Sequence, residues 1–213
     1  DYNDYPFSMD DSISIANKGT DFGSYGDEEV KSIAEGRAYG LELLFRHQDL
    51  FGLNVVLSYT YVRSEFREMN DQLEVTNNFI PTTWDNRHLL NLTAIREFKN
   101  NWQVGLKWRF VGGPPYTPLD RQKSSLISAW NARGRAYPDY NRLNERRLNP
   151  FHQLDLRIDK QYFFDKWSLM LYLDVQNVYN FSADEPPVLI REKGPDGEPL
   201  VDPNNPRRYE LKR

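Results

Sequence analysis

The chain has 213 residues, no cysteine, and 27 Lys+Arg against 31 Asp+Glu, which gives a formal net charge of -4. Without cysteine, a disulfide-stapled scaffold and a Cys-ligated zinc site are excluded. The slightly acidic balance does not support nucleic-acid binding, which needs a clustered basic face, and no nucleic-acid partner is expected. The basic run of Arg133, Arg135, Arg142, Arg146 and Arg147 lies among Asn, Gly and Pro, and is interpreted as a solvated loop.

No stretch approaches the roughly 18 consecutive apolar residues of a membrane-spanning helix. A strand that is apolar only at alternate residues escapes this criterion. The chain begins at Asp1 without a targeting segment and ends in a polar run at Arg213, so we expect it to be part of a longer protein.

Apolar and polar residues alternate with a period of two along six stretches of the chain. The clearest runs from Trp102 to Phe110, where every even position is apolar or aromatic and the odd positions are Gln, Gly, Lys and Arg. An all-β fold is therefore predicted. The six predicted strands span residues 37–47, 53–66, 86–98, 101–112, 151–163 and 167–180.

Short and long connections alternate strictly between these strands. The short ones fall near 48–52, 99–100 and 164–166, and the long ones cover 67–85, 113–150 and the residues after 180. This asymmetry is typical of outer-membrane β-barrels, which have short periplasmic turns and long extracellular loops. We expect an antiparallel transmembrane β-barrel fragment of about six long strands.

A soluble sandwich or lipocalin shows the same alternation with its apolar face inward. Three features favour the membrane: strands of roughly 10 or more residues, mixed charge on the polar face, and aromatic residues at strand ends. These aromatic residues are Tyr39, Tyr59, Tyr61, Trp102, Phe110, Tyr162 and Trp167. Six strands cannot close a membrane barrel, since the smallest use roughly 8. Further strands are expected from the parent chain or from oligomerisation.

Five stretches resemble, in the same order, the C-terminal barrel portion of TonB-dependent outer-membrane receptors, most closely those of Bacteroidetes-type bacteria. They are residues 36–42, 84–91, 111–118, 154–160 and 174–180. The resemblance covers about residues 5–180. It implies an extracellular loop and strand approach at 1–36, six barrel strands at 37–180, and an extracellular loop with a hairpin near 194–197 at 181–213.

The resemblance also implies a location and a function. The location is the cell outer membrane of a Gram-negative bacterium, and the function is import of a siderophore, glycan, peptide or similar ligand into the periplasm. The implied partners are outer-membrane lipid, the rest of a plugged barrel, the TonB system through parts outside this chain, and a surface lipoprotein. One alternative is a receptor-like barrel that serves as a structural or assembly subunit, and another is a soluble glycan-binding β-sandwich.

The polar face of the predicted strands would line the barrel lumen. The lumen-facing residues are Glu42, Lys107, Arg109, Asp155, Arg157, Asp159, Asp174 and Gln176. Opposite charges on neighbouring strands stabilise one another as cross-strand pairs. Packing against a plug is therefore the expected role, and a ligand or gating role is the alternative.

Aromatic residues of the long loops are the predicted ligand contacts: Trp84, Tyr116, Trp130, Tyr137 and Tyr140. Such rings suit a sugar, peptide or siderophore, and packing of the loops among themselves is equally open. The three histidines, His47, His88 and His152, fall on separate predicted strands, and no catalytic motif is present. We expect no enzyme activity, no cofactor and no metal site.

Overall fold

The computed structural model describes residues 1–18, 29–70 and 72–212 of the chain. The strands are β1 (Tyr2–Ser8), β2 (Ile13–Ser14), β3 (Val30–Leu50), β4 (Leu53–Met69), β5 (Val75–Pro81), β6 (Arg87–Phe98), β7 (Trp102–Val111), β8 (Pro115–Tyr116), β9 (Arg146–Arg147), β10 (Phe151–Phe163), β11 (Ser168–Val175), β12 (Ile190–Arg191) and β13 (Leu211–Lys212). The helices are α1 (Ile15–Lys18), α2 (Arg121–Ser125) and α3 (Ile127–Arg133), with 3-10 turns at Lys99–Asn101 and Tyr140–Arg142. No helix in these described ranges is long and apolar enough to cross a membrane.

Nine of the described strands form one antiparallel sheet in the order β11-β10-β7-β6-β4-β3-β1-β2, with β5 paired to β4. The predicted all-β, antiparallel class is confirmed. The strand count of about six is wrong, because β1, β2 and β5 extend the same sheet. Their sequences are short and lack a long alternating run, so periodicity could not identify them. Among the described strands the sheet is not closed as a barrel, and β11 and β2 lie at its two edges.

The six long strands lie close to their predicted bounds. The prediction for β10 is correct at both ends, whereas β3 and β4 extend beyond their predicted spans. The last long strand, β11, ends at Val175 rather than at 180. The chain leaves the ladder there because the Asn177 N–H donates to Asp155 Oδ1 at 2.9 Å, and Asn177 adopts a φ of 52°.

The short turns lie together at one end of the sheet. Between β3 and β4, Phe51 and Gly52 have φ values of 52° and 79°, as a two-residue type I′ hairpin requires. The 3-10 turn at Lys99–Asn101 joins β6 to β7, and residues 164–167 join β10 to β11. The long connections meet at the opposite end, which we call the long-loop end.

The strand register places apolar and polar residues on opposite faces. One cross-strand row joins Leu57, Leu92, Trp108 and Leu154 in successive pairs. The adjacent row on the other face joins Ser58, Asn91, Arg109 and Gln153. The alternation in the sequence therefore becomes an apolar face and a polar face that continue across the central strands.

No described residues form a second layer over either face of the central sheet. Leu41 on β3 and Leu173 on β11 are 66% and 63% exposed, although both belong to the apolar face. The buried apolar side chains lie instead at the long-loop end: Phe7, Ile13, Ala34, Phe66, Trp130, Leu143, Leu189 and Leu211. Packing thus organises the loops, while the sheet itself remains a single layer.

Candidate functional site

A fully buried carboxylate, Asp85, organises the long-loop end. It lies in the segment 82–86, which interrupts the ladder between β5 and β6 opposite β4. At this interruption the Ser64 N–H donates to Asp85 Oδ1 at 3.0 Å instead of to a backbone carbonyl. The side chain thus replaces the acceptor that an uninterrupted ladder would supply.

Three arginines surround the same carboxylate. Arg147, from the long connection before β10, donates to Asp85 Oδ2 through Nη2, and its Nη1 donates to the backbone carbonyls of Asp85 at 2.6 Å and Gly113 at 3.0 Å. Arg63 and Arg87 lie 3.7 and 3.6 Å from Oδ2. Asp85 therefore links β4, β6 and the 112–150 connection. The interpretation of Arg147 as part of a solvated loop is wrong, because this guanidinium contacts a buried anion.

Glycines in the 111–118 stretch permit this close packing. A Cβ on Gly112 would lie 2.0 Å from the Asn86 carbonyl oxygen, and one on Gly113 would lie 1.7 Å from the Leu148 carbonyl oxygen. Both neighbours are backbone atoms, which cannot rotate away. The two glycines therefore let residues 86 and 148 approach the end of β7.

A cleft of about 880 Å³ opens at the long-loop end. Its walls come from β1, β2 and α1 on one side, the outer parts of β4 and β5 on another, and residues 140–147 on the third. Phe7 and Phe66 contribute buried rings, and Ser14 and Asn17 contribute buried polar groups. Among the predicted ligand contacts, Tyr140 lines this cleft.

A smaller cavity of about 410 Å³ adjoins the cleft. Tyr116 lines it together with Arg121 and Leu189, and both cavities share Arg142 and Arg146. Arg142 donates to Glu145 at 2.5 and 2.8 Å, and this hydrogen bonding lowers the pKa of the Glu145 carboxyl. Glu145 therefore stays ionised between the two cavities and compensates Arg142.

The other predicted ligand aromatics lie apart from the cleft. Trp130 is only 5% exposed and packs against Leu189 and Leu211, so its ring belongs to the packed core of the loops. Tyr137 donates its hydroxyl to the Ala129 carbonyl at 3.1 Å. Trp84 is exposed and lines neither cavity. The structure thus brings Tyr116 and Tyr140 to cavities and leaves the other three outside them.

The predicted lumen-facing residues share the polar face of the sheet. Lys107 pairs with Asp155 and Arg157 pairs with Asp174 in the strand register. Glu42 of β3 lies on this polar face as well. Arg109 lies 3.5 Å from Asp155, and Arg157 lies 2.7 Å from Asp159. Gln176 follows the end of β11 and is exposed. These contacts form a mixed-charge surface over the central strands.

Asp155 also connects the segment 154–160 of β10 with the segment 174–180 after β11. Its Oδ1 accepts hydrogen bonds from Gln153 Nε2 at 2.6 Å and from the Asn177 N–H at 2.9 Å. Asn177 Oδ1 in turn accepts a hydrogen bond from the Phe181 N–H at 2.8 Å. The carboxylate therefore holds the turn after β11, which is a positioning role.

No protein-family model, no curated protein and no solved structure matches this chain. Within the described residues, no group of three or more His, Asp or Glu side chains is arranged to hold a metal ion.

Sequence reasoning missed four residues of the long-loop end: Asp85, Arg147, Ser14 and Asn17. Asp85 lies beside Trp84 in a stretch that was identified, but a single acid between strands carries no spacing signal. Its burial depends on Arg147, which is 62 residues away in the sequence. Ser14 and Asn17 fall in a segment where polar and apolar residues alternate only over residues 12–15, which is too short to predict a strand.

Proposed function

We propose that this chain is a C-terminal barrel portion of a TonB-dependent outer-membrane receptor, and that the complete receptor imports a ligand into the periplasm. The proposal rests on the resemblance of five ordered stretches together with the form of the sheet. The observation that carries it is a long antiparallel sheet whose apolar face is covered by none of the residues that the structure describes. Lipid is the partner that such a face requires.

The dimensions of the apolar face agree with this proposal. The apolar row of β7 runs from Trp102 to Phe110, or about 26 Å at roughly 3.3 Å per residue. With a typical barrel tilt, a strand of this length crosses most of a hydrocarbon layer. Aromatic rings at both ends match the interfacial girdles of such barrels.

A soluble sandwich needs a second layer over the apolar face, and the described residues provide none. Helices α2 and α3 pack instead with the segment before the C-terminus: Ile127 N–H donates to the Arg207 carbonyl at 3.0 Å, and Tyr209 N–H to the Ser125 carbonyl at 2.7 Å. Soluble monomers rarely expose apolar patches larger than a few hundred Å². The uncovered face therefore favours the membrane.

A receptor of this kind also needs a polar lumen and a ligand-binding surface on the outside, and the polar face and the long-loop end are suited to these two roles. A mixed-charge face suits a wet lumen filled by a plug. The long loops pack into a structured unit with a cleft, which is where a ligand from outside would first bind. In this proposal the energised TonB system acts on the plug, which lies outside this chain, and the ligand then enters the periplasm.

Cysteine labelling tests the location and orientation, because the chain contains no native cysteine. In the full-length protein, with any other cysteine replaced, Asp196→Cys should react with a membrane-impermeant maleimide on intact cells. Lys99→Cys, at a short turn, should react only after the outer membrane is permeabilised. Equal labelling of both variants on intact cells, or no labelling of either before lysis, would contradict the proposal.

Growth assays test import. A deletion strain and a TonB-inactivated strain are compared on a panel of single carbon, nitrogen and iron sources. Import predicts a shared growth defect on a limited set of sources, restored in the deletion strain by the wild-type gene. An assembly subunit would instead give a defect in the deletion strain that TonB inactivation does not reproduce.

A further inference from the structure

Two basic side chains interrupt the apolar face of the central sheet, and both lie near the end where the short turns meet, here called the short-turn end. Arg96 is on the apolar side of β6 and Lys160 is on that of β10, each two residues beyond the last aliphatic side chain of its row. They are the only Lys, Arg, Asp or Glu side chains on this face in β6, β7, β10 and β11 as the structure describes them. A charge on a lipid-facing surface needs a partner, because hydrocarbon does not solvate it.

Aromatic rings flank both cations. Lys160 Nζ lies 5.2 Å from the centres of the Trp102 and Tyr162 rings, and the Arg96 guanidinium lies 5.3 Å from the centre of the Phe98 ring. Lys160 also pairs with Trp102 in the strand register, so it lies at the level of the aromatic residues that end the apolar face. In the proposed orientation this level is the periplasmic boundary of the hydrocarbon layer, where a cation on the lipid-facing surface costs least.

A carboxylate compensates the cations that lie on the same side of the sheet at its long-loop end. There Arg37 and Arg63 both contact the buried Glu65. Among the described residues, by contrast, neither Arg96 nor Lys160 forms an ion pair, and their contacts are with aromatic rings and a backbone carbonyl. Two uncompensated positive charges therefore remain at the short-turn end of the apolar face, and they suit an anionic partner.

The two cations can reach one anionic group. They lie on either side of β7, and with strands about 4.8 Å apart and a rise of about 3.3 Å per residue their Cα atoms are about 12 Å apart. Both side chains are long enough for their charged heads to converge over the start of β7. Lys160 Nζ donates to the Asn100 carbonyl and keeps its other two N–H donors, and the Arg96 guanidinium carries five. These donors fit the oxygens of a phosphodiester.

We propose that Arg96 and Lys160 bind the headgroup of an anionic phospholipid in the periplasmic leaflet of the outer membrane. Both cations donate to its phosphate oxygens, the neighbouring aromatic rings pack against its glycerol, and its acyl chains follow the apolar rows of β7 and β10. The inference rests on the proposed membrane location and adds a site for one class of lipid to it.

Local quenching by brominated lipids tests this, because a single cysteine can be placed at a chosen position of this cysteine-free chain. The full-length protein, with any other cysteine replaced, carries Leu106→Cys labelled with bimane. Leu106 lies on the apolar face of β7, two residues inward of the residue that pairs with Arg96. The protein is reconstituted into phosphatidylcholine vesicles with increasing fractions of brominated phosphatidylglycerol, and brominated phosphatidylcholine serves as the reference. The quenching curves give the binding constant of phosphatidylglycerol relative to phosphatidylcholine beside the label.

Phosphatidylglycerol should bind about 25-fold more strongly than phosphatidylcholine beside this label, because each cation contributes about fivefold. Arg96→Gln and Lys160→Gln should each lower the preference about fivefold, and the double variant should abolish it. The matched control combines Arg46→Gln with Lys107→Gln, which removes one arginine and one lysine from the polar face and should leave the preference unchanged. A bimane at Leu90→Cys, nearer the long-loop end of the apolar face, should report no preference.

Equal binding of the two lipids beside Leu106, the same preference beside Leu90, or a preference that survives the double variant would overturn the inference. Failure of the proposed location gives a different result. If neither brominated lipid quenches either label, the apolar face is not in lipid, and the location falls together with the inference. If both brominated lipids quench equally, the location stands and only the headgroup site falls.

Discussion

The carboxylate of Asp85 should hold the 112–150 connection against the sheet, and Asp85→Asn tests this with minimal change of shape. The asparagine keeps an oxygen for the Ser64 N–H, which donates at 3.0 Å. What is lost is the negative charge that Arg147 contacts directly and that lies 3.7 and 3.6 Å from Arg63 and Arg87.

The size of the effect follows from burial. Removing one partner of a fully buried ion pair destabilises by about 3–5 kcal/mol. Here the carboxylate is fully buried but all three arginines remain partly exposed to solvent, which screens their charges. We therefore expect the free energy of opening the connection to be about 2 kcal/mol lower in Asp85→Asn than in the wild type. The open population should then be roughly 30-fold larger.

Limited trypsin digestion of the folded full-length protein measures this opening. Arg121, Lys123, Arg133 and Arg135 lie in the connection and supply cleavage sites. Where opening is fast relative to cleavage, the cleavage rate follows the open population and should rise about 30-fold in Asp85→Asn. Glu145→Gln, in the same connection but at an exposed ion pair, should change it by less than about threefold. A cleavage rate for Asp85→Asn within threefold of wild type would refute the role assigned to this carboxylate.

Three other predictions concern the sheet and its loops. Leu57→Arg, at the centre of the apolar face, should lower the unfolding free energy in lipid by about 2–4 kcal/mol. Ser58→Arg, on the polar face, should change it by less than about 1 kcal/mol. Equal effects of the two substitutions in a urea titration in lipid vesicles would argue against lipid on the apolar face. Gly113→Ala should lower the melting temperature, because its Cβ would meet the Leu148 carbonyl oxygen at 1.7 Å, and an unchanged melting temperature would contradict that packing. Asp155→Ala should free the turn at Asn177, seen as faster exchange of the Asn177 amide hydrogen, and continued protection would show that another acceptor holds it.

The strands that could be predicted from sequence are those where one local pattern suffices. The alternation extends from Trp102 to Phe110 in β7 and from Gln153 to Asp159 in β10, and the register joins their apolar residues in pairs such as Trp108 with Leu154. In β1 the sequence contains Pro6 and no alternation, and this strand forms by pairing with β3. Such a strand depends on a partner distant in sequence, which a local pattern cannot reveal.

The site residues also divide into those that a local sequence pattern predicts and those whose position depends on distant contacts. The predicted polar-face residues follow directly from the period of two, and the register brings Lys107 opposite Asp155. The aromatic residues of the loops could not be sorted, because composition does not distinguish a buried ring from a cavity wall. Trp130 is buried in the loop core and Tyr140 lines the cleft, although both lie in the same long connection.

The distribution of burial links these observations to the proposed function. Apolar burial is the main stabilising contribution in a soluble domain, yet within the described part of the chain no layer covers either face of the sheet, and every residue of β11 is exposed. The packed residues lie at the long-loop end, around Asp85 and Trp130. The proposed function assigns lipid to the apolar face, a plug or water to the polar face, and partner strands to the edges at β11 and β2. Within the proposed function, a larger outer-membrane barrel supplies all three, while the loops fold against one another and present the cleft to the outside.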